Sequence, residues 1–104
     1  MTTKDERLYK IACSFPALKR KGVEHGDIPG ITPKGFYDQK LSNYLYKGDG
    51  GVLSSGEFLL LEFLLNICSP DTYNGFNFGN ALYVLDSLHL SALVRASARV
   101  YNNE

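Results

Sequence analysis

The stretch SSGEFLLLEFLLNIC, residues 54–68, decides the fold. Ser54 and Glu57 have the spacing of a capping box, in which a serine hydroxyl and a glutamate carboxylate each satisfy a backbone N–H left over at a helix start. The run from Phe58 to Cys68 is too long and too uninterrupted in its apolar character for an ordinary strand. On a helix, Ser55, Glu62 and Asn66 share one narrow side and almost every other position is apolar. A helix of that kind is stable only when other elements surround it. The stretch therefore predicts a central helix, ended by Ser69, Pro70 and Asp71.

Upstream, Gly48, Asp49, Gly50 and Gly51 form the strongest stop signal in the chain and predict a turn, the best candidate for an internal hinge. Before it, Thr32 reads as an N-cap with Pro33 at the first helical position, and Tyr37, Leu41, Tyr44 and Leu45 repeat at helical spacing, so a helix is expected to end near Lys47. The segment GVEHGDIPGI, residues 22–31, carries three glycines and a proline and is expected to be a surface loop. Thr3 and Glu6 make a second capping-box spacing, followed by Leu8, Ile11, Ala12 and Phe15 as one apolar stripe, which predicts a first helix from Lys4 to Ser14. Pro16 disfavours helical geometry at Phe15, and a short further turn, capped by Ser14, should run through Leu18 and stop at Gly22.

Downstream, a loop through Tyr73, Asn74 and Gly75 leads to Asn77, read as the cap of one long last helix reaching Tyr101. The period-two alternation of half-buried strands is absent over any useful length, and no internal repeat is visible. The sequence thus predicts a single all-α domain over residues 1–104, a compact irregular bundle of four to five helices that bury their stripes against one another.

Bulk properties narrow the function. Eleven basic and eleven acidic residues leave no net charge, which removes the footprint of non-specific nucleic-acid or membrane-surface binding. Residues 1–52 carry nine Lys/Arg against six Asp/Glu, and residues 53–104 two against five, so the front is basic and the back acidic. The Lys19, Arg20, Lys21 triplet reads as a solvated turn. Cys13 and Cys68 are isolated, lacking both metal-knuckle pairing and the density of a disulfide scaffold. With a polar start over Met1 to Arg7 and no apolar run of membrane-spanning length, a reduced, cytoplasmic setting is expected.

Candidate chemistry is sparse. His89 falls within the apolar stripe of the last helix, among Phe78, Leu82, Leu85, Ala92, Leu93, Ala96 and Val100, with Asp86 three residues earlier. A carboxylate so placed can orient an imidazole for proton transfer, but a partnered core histidine is the simpler reading. No spacing puts His25 or His89 beside Cys13 or Cys68 as a thiol nucleophile would need. The GDGG segment lacks the strand and the lysine of a phosphate loop. Phe36, Tyr37, Tyr44 and Tyr46 lie near Lys34, Lys40 and Lys47, a pattern that can stack bases but fits core packing better. A helix-turn-helix reading fails because Arg95 and Arg99 sit at the far end of their helix, whereas groove reading uses the first turn. Tyr83, Leu90, Val94 and Tyr101 line up along one edge of a continuous last helix, away from His89, and are the predicted partner-binding face.

The stretch LSSGEFLLLEFLLNIC, residues 53–68, followed by FNFGNALYVLDSLHLSALVRASA, residues 76–98, resembles uncharacterised small proteins of bacteriophages and other mobile elements. The shared pattern is the Ser-Ser-Gly-Glu helix start, an apolar helix ending near Asn66, and Phe78 with Leu85, Asp86, His89 and Ala92, within the C-terminal half. The chain departs from it in having no tryptophan, where those relatives commonly have several. The resemblance implies a short product that binds and inhibits or redirects host machinery, a defence system included, in the manner of anti-CRISPR proteins.

The expectation from sequence is a non-enzymatic protein-binding module without cofactor or metal, whose partner is a host protein or a second copy. The alternatives are a small regulator touching nucleic acid through the basic front half and, third, an enzyme using His89 and Asp86. Scattered cysteines and histidines predict that elemental analysis of purified protein finds no stoichiometric zinc; one zinc per chain, lost on His89 replacement, would favour the third reading.

Overall fold

The structure, a computed structural model, describes residues 3–48 and 53–102. Among them the fold is all-α in character: α1 (Lys4–Cys13), α2 (Pro16–Leu18) running into a π-helical segment (Lys19–Glu24), a minimal hairpin of β1 (Ile31–Thr32) and β2 (Gly35–Phe36), then α3 (Asp38–Lys47), α4 (Ser55–Cys68), α5 (Phe78–Val84) and α6 (Ser87–Tyr101). Six α-helices replace the expected four or five, chiefly because the last helix is two.

α4 forms where the capping box predicts. Ser54 Oγ accepts from Glu57 N–H at 3.1 Å and Glu57 Oε1 accepts from Ser54 N–H at 2.8 Å. Leu59, Leu60, Leu61, Phe63, Leu64 and Leu65 are all buried, which for a single helix means neighbours on nearly every side. The same core takes Leu8, Ile11 and Ala12 from α1, Leu18 from α2, Leu41 and Leu45 from α3, Ala81 from α5 and Ala92, Leu93 and Ala96 from α6. Phe15 and Phe76 sandwich Phe63 edge-to-face, with ring centroids 6.1 and 5.4 Å away.

Polar ties anchor α4 at its edges. Asn66 Nδ2 donates to the carbonyl of Tyr73 at 2.8 Å, and Tyr73 Oη donates to Asp38 Oδ2 at 3.0 Å, so the loop after α4 is strapped across to the first turn of α3. Tyr46 Oη donates to Glu62 Oε2 at 3.0 Å. Burial, then the Glu62 carboxylate, pushes the Tyr46 phenol up to about 12.

Four sequence expectations change. Gly22 does not stop the helix; it is buried within the π segment, with the Ile28 side chain 3.6 Å from where a Cβ would stand. The segment 22–31 is a surface loop only in part: residues 24–27 and Pro29 are exposed, but Gly22 to Glu24 belong to the π segment and Ile28 and Ile31 are core residues. Thr32 caps no helix: its hydroxyl accepts from Lys34 N–H at 3.2 Å and donates to the Gly35 carbonyl at 3.3 Å, closing the turn between β1 and β2. Nor does Ser14 cap α2, since its hydroxyl donates back to the Ile11 carbonyl and Phe15, extended before Pro16, takes the N-cap position with no capping oxygen. Of the predicted stop and hinge at Gly48–Gly51, Gly48 is the C-cap that ends α3, and the other three residues lie outside the described residues.

Gly30 allows the hairpin to close on α3. Its φ is +99°, its carbonyl accepts from Tyr37 N–H at 2.8 Å, and a Cβ there would stand 2.8 Å from Leu41 N and Cβ. Leu64→Ala, at a fully buried site, should lower unfolding free energy by about 2–5 kcal/mol in urea titrations. Gly30→Ala should destabilise as well, although it adds only a methyl group, because both the positive φ and the close approach resist it.

Candidate functional site

Two features of the C-terminal quarter stand out. The first is the ring of His89. α5 ends at Val84 because Leu85 and Asp86 turn extended, with ψ of 141° and 169°, and Asp86 restarts the helix as the N-cap of α6. Asp86 Oδ1 accepts from His89 N–H at 2.8 Å and lies 2.8 Å from His89 Nδ1. The other ring nitrogen, Nε2, accepts the backbone N–H of Ala17 at 3.2 Å. An acceptor at Nε2 requires the proton on Nδ1, where Asp86 receives it, so the geometry selects the neutral Nδ1–H tautomer.

The Ala17 contact has a physical cause. Ala17 is the second residue of α2, where a backbone N–H has no partner within the helix, and Phe15 at the N-cap has no side-chain oxygen to supply one. An imidazole 72 residues further along the chain supplies it. His89 is the capping group of α2; both ring nitrogens are partnered, as the simpler reading expected, but the residue is half-buried at the margin of the core rather than within it, its side chain 15% exposed. It forms one wall of an open cleft of about 450 Å³ together with Ala17, Gly56, Glu57, Leu60, Leu85 and Asp86.

Across this cleft, Glu57 carries a second duty beyond its capping box. Lys21 Nζ, from the π segment, stands 3.2 Å from Glu57 Oε1. Burial pushes the Glu57 carboxyl up, but the Ser54 N–H and the Lys21 ammonium outweigh it and hold Glu57 below the usual carboxylate range. Lys21 is thereby withdrawn from the basic triplet. Asp86 is also held low, by the backbone N–H and then the side chain of His89. The cleft therefore has two carboxylates, each already paired. Among the described residues, no group of three or more His, Cys, Asp or Glu side chains is placed to hold a metal ion.

The second feature is an exposed apolar surface. Seven of the nine large apolar side chains exposed among the described residues belong to this quarter of the chain: Phe78, Leu82, Tyr83 and Val84 on α5, and Leu88, Val94 and Tyr101 on α6. Phe78 and Leu82 were expected beside His89 on a buried stripe; both are about half exposed, because the break at Leu85 and Asp86 turns α5 so that Ala81 alone of its residues is buried. The break equally cancels the helical register that put Tyr83 in line with Leu90, Val94 and Tyr101. Tyr83 at 92%, Tyr101 at 90% and Val94 at 54% exposure are open to solvent. Leu90 is half-buried and packs against the core, on the inner margin of the α6 edge that carries Val94 and Tyr101.

The aromatic and basic cluster around α3 is split up. Phe36 is core, Tyr46 is engaged by Glu62, and Lys40 Nζ lies 5.5 Å above the Tyr37 ring. Among the described residues no helix is long and apolar enough to cross a membrane. No family model, curated protein or solved structure matches this chain.

The missed break had a signal in the sequence: Asp86 and Ser87 are both N-cap residue types, standing directly before an apolar-periodic segment. Removing the ring should expose its structural role. His89→Ala should cost about 0.5–1.5 kcal/mol by exchanging the capping bond of the Ala17 N–H for one to water, measured by urea unfolding at neutral pH. The depressed Asp86 and Glu57 carboxyls add stability that is present above the ordinary carboxylate range and lost as pH falls through their folded-state values. Asp86→Asn should therefore flatten the acid limb of a stability profile against pH.

Proposed function

We propose that the protein is a non-enzymatic binding module that docks another protein on α5 and the outer edge of α6. One observation carries the reading: the concentration on these two helices of exposed large apolar side chains, of which the other described residues add only Tyr37 and Tyr46. Covering such side chains is favourable by about 25 cal/mol per Å² of apolar surface removed from water, and a concentrated patch marks an interaction surface more often than scattered exposure does. Two tyrosines, Tyr83 and Tyr101, are almost fully exposed, and tyrosine combines rigid contact area with a hydroxyl that tolerates water. Arg95, on the same helix, is exposed and suits a partner with an acidic rim.

The resemblance of residues 53–68 and 76–98 to small mobile-element proteins supports a host component, a defence system included, as the class of partner, in a cytoplasmic setting. An apolar surface on another protein fits this face better than nucleic acid does, since Lys21 of the basic front half is committed to Glu57. A catalytic role for His89 and Asp86 has less support, because Nε2 already accepts a backbone N–H.

Leu90 is the wrong position for a charge probe, because it packs against the core; Leu90→Asp should destabilise the fold itself. Val94→Asp and Tyr83→Asp are the informative variants, each expected to change stability by no more than about 0.5 kcal/mol. A photo-crosslinking residue at position 83 should yield a discrete protein adduct in host cells that Val94→Asp abolishes. Equal adducts from exposed Asn43 on α3, or adducts with nucleic acid only, would overturn the reading. A dimer dispersed by Val94→Asp would make a second copy the partner.

A further inference from the structure

We propose that His89 is a proton-operated latch: protonation of its ring releases the first turn of α2 from α6 without unfolding the chain. The inference rests on which atom does what. Ala17 N–H donates to Nε2 at 3.2 Å, and that bond exists only while Nε2 carries a lone pair. A second proton on the ring turns Nε2 into a donor facing a donor. The contact then becomes repulsive, and Ala17 N–H must find water instead. On the other side of the ring the change has the opposite sign, because the 2.8 Å contact between Nδ1 and Asp86 Oδ1 becomes an ion pair. Protonation therefore tightens His89 onto α6 and detaches it from α2.

The charges around the ring permit this exchange. On its own helix it faces Asp86; from α4, Glu57 lines the same cleft; from the π segment, Lys21 is present through its pair with Glu57. The lining residues Ala17 of α2, Val84 of α5 and Leu85 between α5 and α6 bring no titratable group. Both carboxylates are held below the usual range and so stay ionised while the ring gains its proton. The open cleft of about 450 Å³ gives water a route to the ring and to the freed N–H. What is released is small. Pro16–Leu18 is a single turn whose cap comes from His89, and the π segment behind it holds Lys21. Leu18 and Phe15 remain buried, so the core keeps the segment in place while its leading turn opens.

The test is an NMR titration of the full chain from about pH 8 to about pH 5, across the range in which histidine charges. The Ala17 amide signal should shift in step with the His89 ring. Its exchange protection, corrected for intrinsic pH dependence, should fall about tenfold or more, while amides of α4 stay protected. His89→Gln keeps an acceptor and removes the titration, so its Ala17 amide should be insensitive to pH. Asp86→Asn, which preserves the helix cap, should move the ring titration to lower pH and carry the Ala17 response with it. The proposal fails if the ring does not titrate in this range, if it titrates while Ala17 remains unchanged, or if the Ala17 response stays put in Asp86→Asn. It also fails if His89→Gln retains the response.

Discussion

A helix that is apolar on almost every side has to be surrounded, and the placement of α4 is the constraint on which the remaining elements depend. Six of its large side chains are buried, and the half-buried positions, Gly56, Glu57, Phe58, Glu62, Asn66, Ile67 and Cys68, are each covered in part. Fully burying a side chain of this size contributes about 1.5–3 kcal/mol, so leaving any flank of α4 open would cost more than a small domain has to spare. No single neighbour is long enough to do this alone. α1, α3 and α5 each take a sector, and Phe15 and Phe76 close on Phe63 from two directions. The polar side chains of α4 are used at its margins, where Glu57 meets Lys21, Glu62 meets Tyr46 and Asn66 holds the loop at Tyr73.

The chain between Val84 and Ser87 shows how a local signal sets a distant contact. Asp86 ends one helix and starts the next, and the same carboxylate oxygen aligns the ring of His89. With Nδ1 held by Asp86, Nε2 is left as the acceptor and meets the N–H that α2 cannot satisfy from its own N-cap. One residue thus divides the C-terminal quarter into two helices, fixes a tautomer and, through the ring it aligns, ties α6 to α2. The division also decides what the protein presents to solvent. A continuous helix would have carried Phe78 and Leu82 inward with His89; the break leaves them outside with Tyr83, and an apolar surface results that the chain's own core does not cover. The proposed docking face and the His89 contact are in this sense two consequences of a single N-cap.

What the sequence determined by itself is the set of features whose hydrogen bonds close within a few residues. The caps at Thr3 and Ser54 form as spaced, because a hydroxyl three positions ahead of a free N–H reaches it whatever the rest of the chain does. The centrality of α4 was equally legible, since an unbroken apolar run admits few environments. Where a residue had two local options, only the tertiary structure chose. Thr32 could cap a helix or close a turn, and it closes the turn because Ile31 and Phe36 are both drawn into the core and Gly30 admits the approach of Leu41. Asn77 and Asp86 are both good caps, and in the fold both are used: Asp86 starts α6 where a continuous helix was equally open to the sequence, with Leu85 packed against the core at the break. Leu90 and Val94 look alike in sequence, one turn apart on one helix edge, yet one packs inward and the other faces water. That distinction depends on where α6 lies against its neighbours, a quantity set by the summed packing of all the helices and carried by no short stretch of chain.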